Sequence, residues 1–293
     1  MEKVYDFIEG EILAFDKPLT WTSFNLVKVV RNNLSRRLGI KRLRVGHAGT
    51  LDPLASGVLL LCTGKCTKQI DRLQSGTKEY VATVRLGCTT KSFDAEYPID
   101  TTYPVSHITP ALVDEALQKF RGSIWQVPPV LSAVKVDGRR AYDYHRQGEE
   151  VELKAKELVI DELELLDLHL PEQGVVSANA EEVARMARAD IHIKNYGRDR
   201  EEQEIADATD VAPEELSYLQ IRVVCSKGTY IRALARDIGE ALGSGGYLIS
   251  LRRTRIGDYR VEDCMSLDNV EEWCKTVPMT LEHVIVREPK GGA

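Results

Sequence analysis

The sequence predicts an α+β fold built on a largely antiparallel mixed sheet flanked by helices. Three observations predict it. Tyr80–Leu86 and Leu158–Leu168 alternate apolar and polar residues, as half-buried strands do. Val58-Leu59-Leu60-Leu61-Cys62 is apolar throughout, as a strand buried on both faces would be. The helical segments stand apart from these runs and carry their own caps.

In order along the chain, Glu11–Asp16 is a short apolar strand ending at Lys17-Pro18. Thr22-Ser23 offers an N-cap for a helix whose apolar positions Leu26, Val29 and Val30 share one face. The glycines and proline of Val45–Gly57 predict a loop. Thr109-Pro110 caps a helix over Ala111–Phe120, and Gln126-Val127-Pro128-Pro129 breaks regular structure. Ala133–Gly138 reads as a strand entering a turn. Tyr218–Cys225 is a strand, and Tyr230–Leu242 a helix stopped by Gly243. The acidic stretch at about 170–217 has Tyr196 as its only aromatic residue inside Leu170–Ser217. It reads as a surface insertion with too little apolar area for its own core, with short helices at Ala180–Arg188 and Pro213–Leu216.

A chain of 293 residues, 43% hydrophobic and 29% charged, is ordinary for a globular protein. No apolar run approaches the roughly 20 residues that cross a bilayer. The N-terminus lacks the pattern of a signal peptide. Both points predict a cytoplasmic protein with no membrane partner. The six cysteines and six histidines lack the spacing of a disulfide framework or zinc site, so no metal and no cofactor are expected.

The net charge of −6 conceals a strong asymmetry. Asp161–Glu215 has 16 acidic and 5 basic residues, which leaves a net of +5 elsewhere. Phe24–Gly46 holds Lys28, Arg31, Arg36, Arg37, Lys41, Arg42 and Arg44 and no acid. Cys225–Arg260 has seven basic residues against three acidic. Local fields decide whether a phosphate backbone is attracted, and two such runs point to RNA.

The chemistry-bearing segment is Gly46-His47-Ala48-Gly49-Thr50-Leu51-Asp52-Pro53-Leu54-Ala55-Ser56-Gly57-Val58-Leu59. It presents a carboxylate on a glycine-punctuated loop that leads into a buried strand. Gly49 and Gly57 permit tight bends, and Pro53 fixes the position after the aspartate, holding the carboxylate in one direction. Loops anchored on rigid strands are common sites of catalytic groups.

This segment resembles the signature G-H-x-G-x-L-D-P-x-A-x-G-x-L of TruB-type tRNA pseudouridine synthases, with every fixed position present. Phe15-Asp16-Lys17-Pro18 with Thr22-Ser23 is similar to the family's N-terminal element, although Trp21 stands where glycine is common. Gln126–Lys135 with Asp137–Tyr142 resembles its central motif. Ser226-Lys227-Gly228-Thr229-Tyr230-Ile231-Arg232 with Leu251–Thr254 resembles its C-terminal one. The likeness covers about residues 11–168 and 218–260. It implies a catalytic domain over 1–260, with its cleft on the sheet, and a C-terminal extension over 261–293 too short for a complete RNA-binding PUA domain.

The resemblance also implies a reaction: isomerisation of the T-loop uridine (position 55) of tRNA to pseudouridine. The protein is expected to be a monomer. Asp52 is then the nucleophile, attacking either the ribose C1′ or the uracil C6. Burial disfavours an ionised carboxylate, and an opposite charge counters this. By similarity that charge is Arg232, whose guanidinium stays protonated and can fork onto a carboxylate. Tyr80 matches the family's active-site tyrosine, which stacks on the flipped base and helps remove the C5 proton. His47 matches the histidine that contacts the target nucleotide or fills the space it vacates. Tyr230 and Lys17 correspond to pocket-support positions. Lys135, Arg139, Arg140, Arg252 and Arg253 join the Lys28–Arg44 run as phosphate contacts. The uridine must be everted to be reached. Competing readings are a guide-RNA-directed relative, an RNA-folding module without catalysis, and a glycoside hydrolase. The last lacks a convincing second carboxylate.

Overall fold

A computed structural model of the protein describes residues 3–188, 192–193, 203–204, 212, 215–268 and 270–280. In chain order the elements begin with β1 (Ile12–Lys17), α1 (Ser23–Arg37), β2 (Val45–Ala48), β3 (Ala55–Thr63), α2 (Ile70–Ser75) and β4 (Lys78–Leu86). Next come β5 (Cys88–Thr90), β6 (Ile99–Thr102), α3 (Pro110–Gln118), β7 (Gly122–Gln126), β8 (Lys135–Val136), β9 (Arg139–Arg140) and α4 (Ala141–Arg146). The chain continues through β10 (Lys156–His169), α5 (Ala180–Arg188), β11 (His192–Ile193), β12 (Gln203–Glu204) and β13 (Tyr218–Cys225). It ends with α6 (Ile231–Ala241), β14 (Gly246–Ile256), β15 (Tyr259–Arg260) and α7 (Val270–Thr276). The class is α+β with largely antiparallel strands, as the sequence predicts. No helix among the described residues is long and apolar enough to cross a membrane. All six cysteines are free thiols.

Two compact units divide the chain, the first built mainly from residues 1–75 and 256–293, the second from 76–193 and 201–255. In the first, β3 is flanked by β1 and β2, both antiparallel to it, with Ile12↔Cys62 and Val45↔Thr63 in register. This explains why Val58–Cys62 is apolar throughout. Leu59 and Leu61 pack with Phe7, Phe15, the α1 residues Leu26 and Val30, and the α7 residues Val270 and Cys274. Val58 and Leu60 point to the opposite cluster, with Ala48, Ile70 and Ile256. Thr22 caps α1 as predicted, its hydroxyl accepting from the Asn25 N–H at 3.0 Å.

The expectation of an uninterrupted loop over Val45–Gly57 is corrected: Val45–Ala48 and Ala55–Gly57 are strand, and only residues 49–54 are loop. Glycine at position 46 marks close packing within the strand, since a Cβ there would lie 2.7 Å from Ile70 Cδ1.

In the second unit the strands run in the order β14-β4-β13-β10-β7. The pairings β4–β13, β13–β10 and β10–β7 are antiparallel. β4 was expected to be half-buried, but Ala82–Leu86 is buried at every position, so both faces of the strand are covered there. Thr109 caps α3 as predicted, and Gly243, with φ +65°, follows the end of α6.

The helix expected at Ala180–Arg188 forms, and it buries Ala180, Val183 and Ala184 against Leu216 and Tyr218. This part of the acidic stretch thus contributes apolar area to the unit's packing. The remainder of the stretch, including Pro213, lies largely outside the described residues. Beneath α5, Asp167 Oδ2 accepts from Ser177 Oγ at 2.6 Å and Tyr218 Oη at 3.1 Å. Its Oδ1 accepts from the Leu168 N–H at 2.9 Å. Burial pushes the Asp167 carboxyl up, but these bonds and one from Asn179 outweigh it and hold the group below its usual value.

A carboxyl with a depressed folded-state pKa stabilises the fold above its unfolded value of about 3.9 and loses that contribution as pH falls. Asp167→Ala is therefore expected to lower the unfolding free energy at pH 7. The difference from wild type in urea titrations should shrink as pH falls below about 4.

Candidate active site

In the first unit, the backbone leaves β2 at Ala48 and turns at Gly49, whose φ of +86° favours glycine. It reaches Asp52 through the buried Leu51. The hydroxyl of Ser23, the first residue of α1, donates to the Leu51 carbonyl at 3.0 Å and accepts from the Leu51 N–H at 2.8 Å. On the other side of Asp52, the Pro53 carbonyl accepts from the Thr20 N–H at 2.8 Å. The carbonyl of Asp52 itself accepts from the Ala55 N–H at 3.1 Å. Both neighbours of Asp52 are thus tied to a segment at the start of α1, and its side chain remains partly exposed.

Lys17 supports the same segment. Its side chain is wholly buried, and its ammonium donates to the carbonyls of Pro18 (2.8 Å) and Trp21 (2.7 Å). These bonds close the turn that carries Thr20. His47 sits on β2 opposite Leu61 and is half-buried.

The second unit holds Tyr80, Lys135, Tyr230, Arg232 and Arg253. Arg232 lies in the first turn of α6, where the helix dipole disfavours a cation. Its guanidinium is nevertheless buried. Nη1 donates to the Ser92 carbonyl at 3.2 Å, Nη2 donates to the Leu131 carbonyl at 2.9 Å, and Nε lies 3.6 Å from Asp94 Oδ2. Asp94 is buried as well, and its Oδ1 accepts from Ser92 Oγ at 2.5 Å and the Glu96 N–H at 3.0 Å. Sequence reasoning missed Asp94. The signal available was Ser92-Phe93-Asp94-Ala95-Glu96, whose Asp two residues before a backbone donor suits an Asx turn.

Tyr230 precedes α6, and its N–H donates to Gln126 Oε1 at 2.9 Å. Gln126 is buried, and its Nε2, like the hydroxyl of buried Ser132, has no protein partner among the described residues. Both residues belong to the central motif. Tyr80 is largely buried on β4 opposite Val223. Two positions before it, on the same face of the strand, burial pushes the Lys78 ammonium down to about 8, and the nearby Arg253 cation adds to this. Arg253 itself is 1% exposed on β14. Lys135 is exposed on the β8–β9 hairpin, whose turn residues Asp137 and Gly138 have φ of +50° and +84°. The same hairpin presents Arg140, while Arg139 lies 4.1 Å over the Tyr144 ring and pairs with Glu149. No cluster of three or more potential metal ligands occurs among the described residues.

The family model for the N-terminal domain of TruB family pseudouridylate synthases matches residues 35–181. That for the tRNA pseudouridylate synthase B C-terminal domain matches residues 232–286. The chain is 53% identical over 268 residues to tRNA pseudouridine synthase B of Phocaeicola vulgatus, covering 92% of this chain and 94% of the relative. It is 51% identical over 277 residues to tRNA pseudouridine synthase B of Parabacteroides distasonis, covering 94% and 98%. A chain in the solved archaeal box H/ACA sRNP Nop10-Cbf5 complex shares the fold, with a TM-score of 0.53 at 21% identity. The match covers 92% of this chain and 54% of that one.

Truncating one member of a buried ion pair strands the other charge, at a cost of about 3–5 kcal/mol. Asp94→Ala is expected to lower the unfolding free energy by roughly this amount in urea denaturation at pH 7. A surface substitution such as Glu115→Ala should change it by less than about 0.5 kcal/mol.

Proposed function

The chain belongs to the TruB family of pseudouridylate synthases, and we propose that it isomerises uridine 55, in the T-loop of tRNA, with Asp52 as nucleophile. The observation that carries this reading is the Asp52 loop. The full family signature coincides with a carboxylate whose two neighbours are hydrogen-bonded to Ser23 at the start of α1 and to Thr20 in the turn before it. Such tethering suits a group that must meet a reacting carbon in one geometry.

Pseudouridine formation breaks the bond from N1 to C1′, turns the uracil over and joins C5 to C1′. The C5 proton is lost, N1 ends protonated, and no electrons are gained or lost overall. A covalent bond from Asp52 to C1′ or to C6 divides this into steps a carboxylate can support. The target base first leaves its stack in the RNA loop to reach the carboxylate. Arg232, by the family resemblance, supplies the guanidinium that favours the ionised nucleophile. What supports its fitness is burial in a frame of backbone carbonyls and Asp94. Tyr80 stacks on the everted base and assists removal of the C5 proton. His47 contacts the target nucleotide or fills the space it leaves. Tyr230 and Lys17 support the pocket, and the exposed Lys135 meets phosphates. Arg253, expected among the phosphate contacts, is 1% exposed and out of their reach; it lends positive charge from within β14. For Lys17, support comes from its two bonds to the turn that carries Thr20.

The test is pseudouridine mapping in tRNA that lacks the modification. Wild-type protein is expected to modify the T-loop uridine. Asp52→Asn should be slower by at least about 10⁴-fold while still binding tRNA. Modification at another position would overturn the specificity, and activity retained in the variant would overturn the nucleophile.

A further inference from the structure

Helix α1 carries a second feature at the end away from Ser23. Arg31, Asn32, Ser35 and Arg36 on the helix, with Lys41 and Arg42 on the loop that follows, line an open cavity of about 510 Å³. No acidic side chain lines it, and among the described residues none of its four cations is in an ion pair. The loop is held in place by Ser35. Its carbonyl accepts from the Ile40 N–H at 3.1 Å, its hydroxyl accepts from the Leu43 N–H at 2.8 Å, and Leu43 is buried. Lys41 and Arg42 are therefore carried by a loop anchored at both ends to one turn of the helix.

Such an arrangement concentrates like charge. The Arg31 guanidinium is held below its usual value, by burial first and then by the neighbouring Arg42 cation. A solvated face spreads its charges and interleaves acids, whereas this cavity gathers four cations around a concave surface. An anion placed there relieves their mutual repulsion. Two or more guanidinium forks suit phosphate oxygens better than carboxylates carried by a protein surface, because one phosphodiester accepts from several donors at once.

We propose that this cavity is a backbone-phosphate site for the substrate RNA, separate from the residues that meet the target nucleotide. The inference rests on the tRNA reading above. Arg31 and Arg36 lie eight and thirteen residues beyond Ser23, about 12–20 Å along the helix. The phosphates held here thus belong to nucleotides several positions away from the one at Asp52. Because α1 also fixes the Asp52 loop through Ser23, one rigid helix links the grip on the backbone to the placement of the carboxylate. The cavity serves affinity and register, and the chemical step does not depend on it.

The experiment measures tRNA affinity against salt concentration, together with single-turnover pseudouridine formation, for wild type, Arg36→Ala/Arg42→Ala and Arg36→Lys/Arg42→Lys. Thermal melting checks that each variant is folded. For the alanine pair, affinity should fall about 10-fold or more, and the slope of log affinity against log salt should flatten by roughly 1–2. Its rate at saturating tRNA should match wild type. The lysine pair keeps both charges and should recover most of the salt slope. An alanine pair with wild-type affinity and slope overturns the phosphate site while leaving the tRNA reading intact, provided wild type modifies tRNA. A lysine pair with a salt slope as flat as the alanine pair's also overturns it, since charge would not be the cause. Failure of wild type to modify tRNA overturns both.

Discussion

The path of the loop that carries Asp52 depends on one hydroxyl. Ser23 Oγ bonds both backbone groups of Leu51, and those groups are buried where water cannot replace it. Leaving such a donor and acceptor unsatisfied costs about 1–3 kcal/mol each. The loop therefore has one strongly preferred path past Asp52, and Thr20 fixes that path on the far side through Pro53. Lys17 takes part indirectly: it holds the turn that carries Thr20. A buried lysine spent on two backbone carbonyls is costly to desolvate. Its presence next to the carboxylate loop is explained by the rigidity it confers.

The second unit faces a related constraint with the opposite charge. Arg232 is placed at the start of a helix, where the dipole opposes it, and it is held there by two carbonyls and the Asp94 carboxylate. The carbonyls come from Ser92 and Leu131, so one guanidinium joins the segment after β5 to the central motif. Gln126, whose side chain binds the Tyr230 N–H ahead of the same helix, extends that connection. Lys78 and Arg253, buried on β4 and β14, add further positive charge. A protein that acts on a polyanion benefits from cations placed where they keep their positions before the substrate arrives.

Features set by local chemistry were legible in the sequence. The caps at Thr22 and Thr109, the stop at Gly243, the apolar run of β3 and the turn at Asp137-Gly138 all follow from residues within a few positions. Features set by partners distant in the chain were not. Val45–Ala48 reads as loop because glycine is a breaker, and it becomes strand only by pairing with β3. β14 was hidden by Arg252, Arg253 and Arg255, which break the apolar alternation although Arg253 is buried. Asp94 lies far from Arg232 in sequence, and no spacing rule joins them. The residues nominated for chemistry came from the family signature. Without it, Asp52 is one aspartate before a proline among many such turns, and Arg232 one helix charge.

Whether the path of the Leu51 backbone sets the working position of Asp52 can be read from single-turnover pseudouridine formation with Ser23→Ala. A misplacement of about 1 Å at a reacting group costs on the order of 100-fold in rate. The variant is expected to fold and to bind tRNA as tightly as wild type, with chemistry slower by about 10- to 100-fold. A folded variant that reacts at the wild-type rate would contradict that role of the Leu51 backbone.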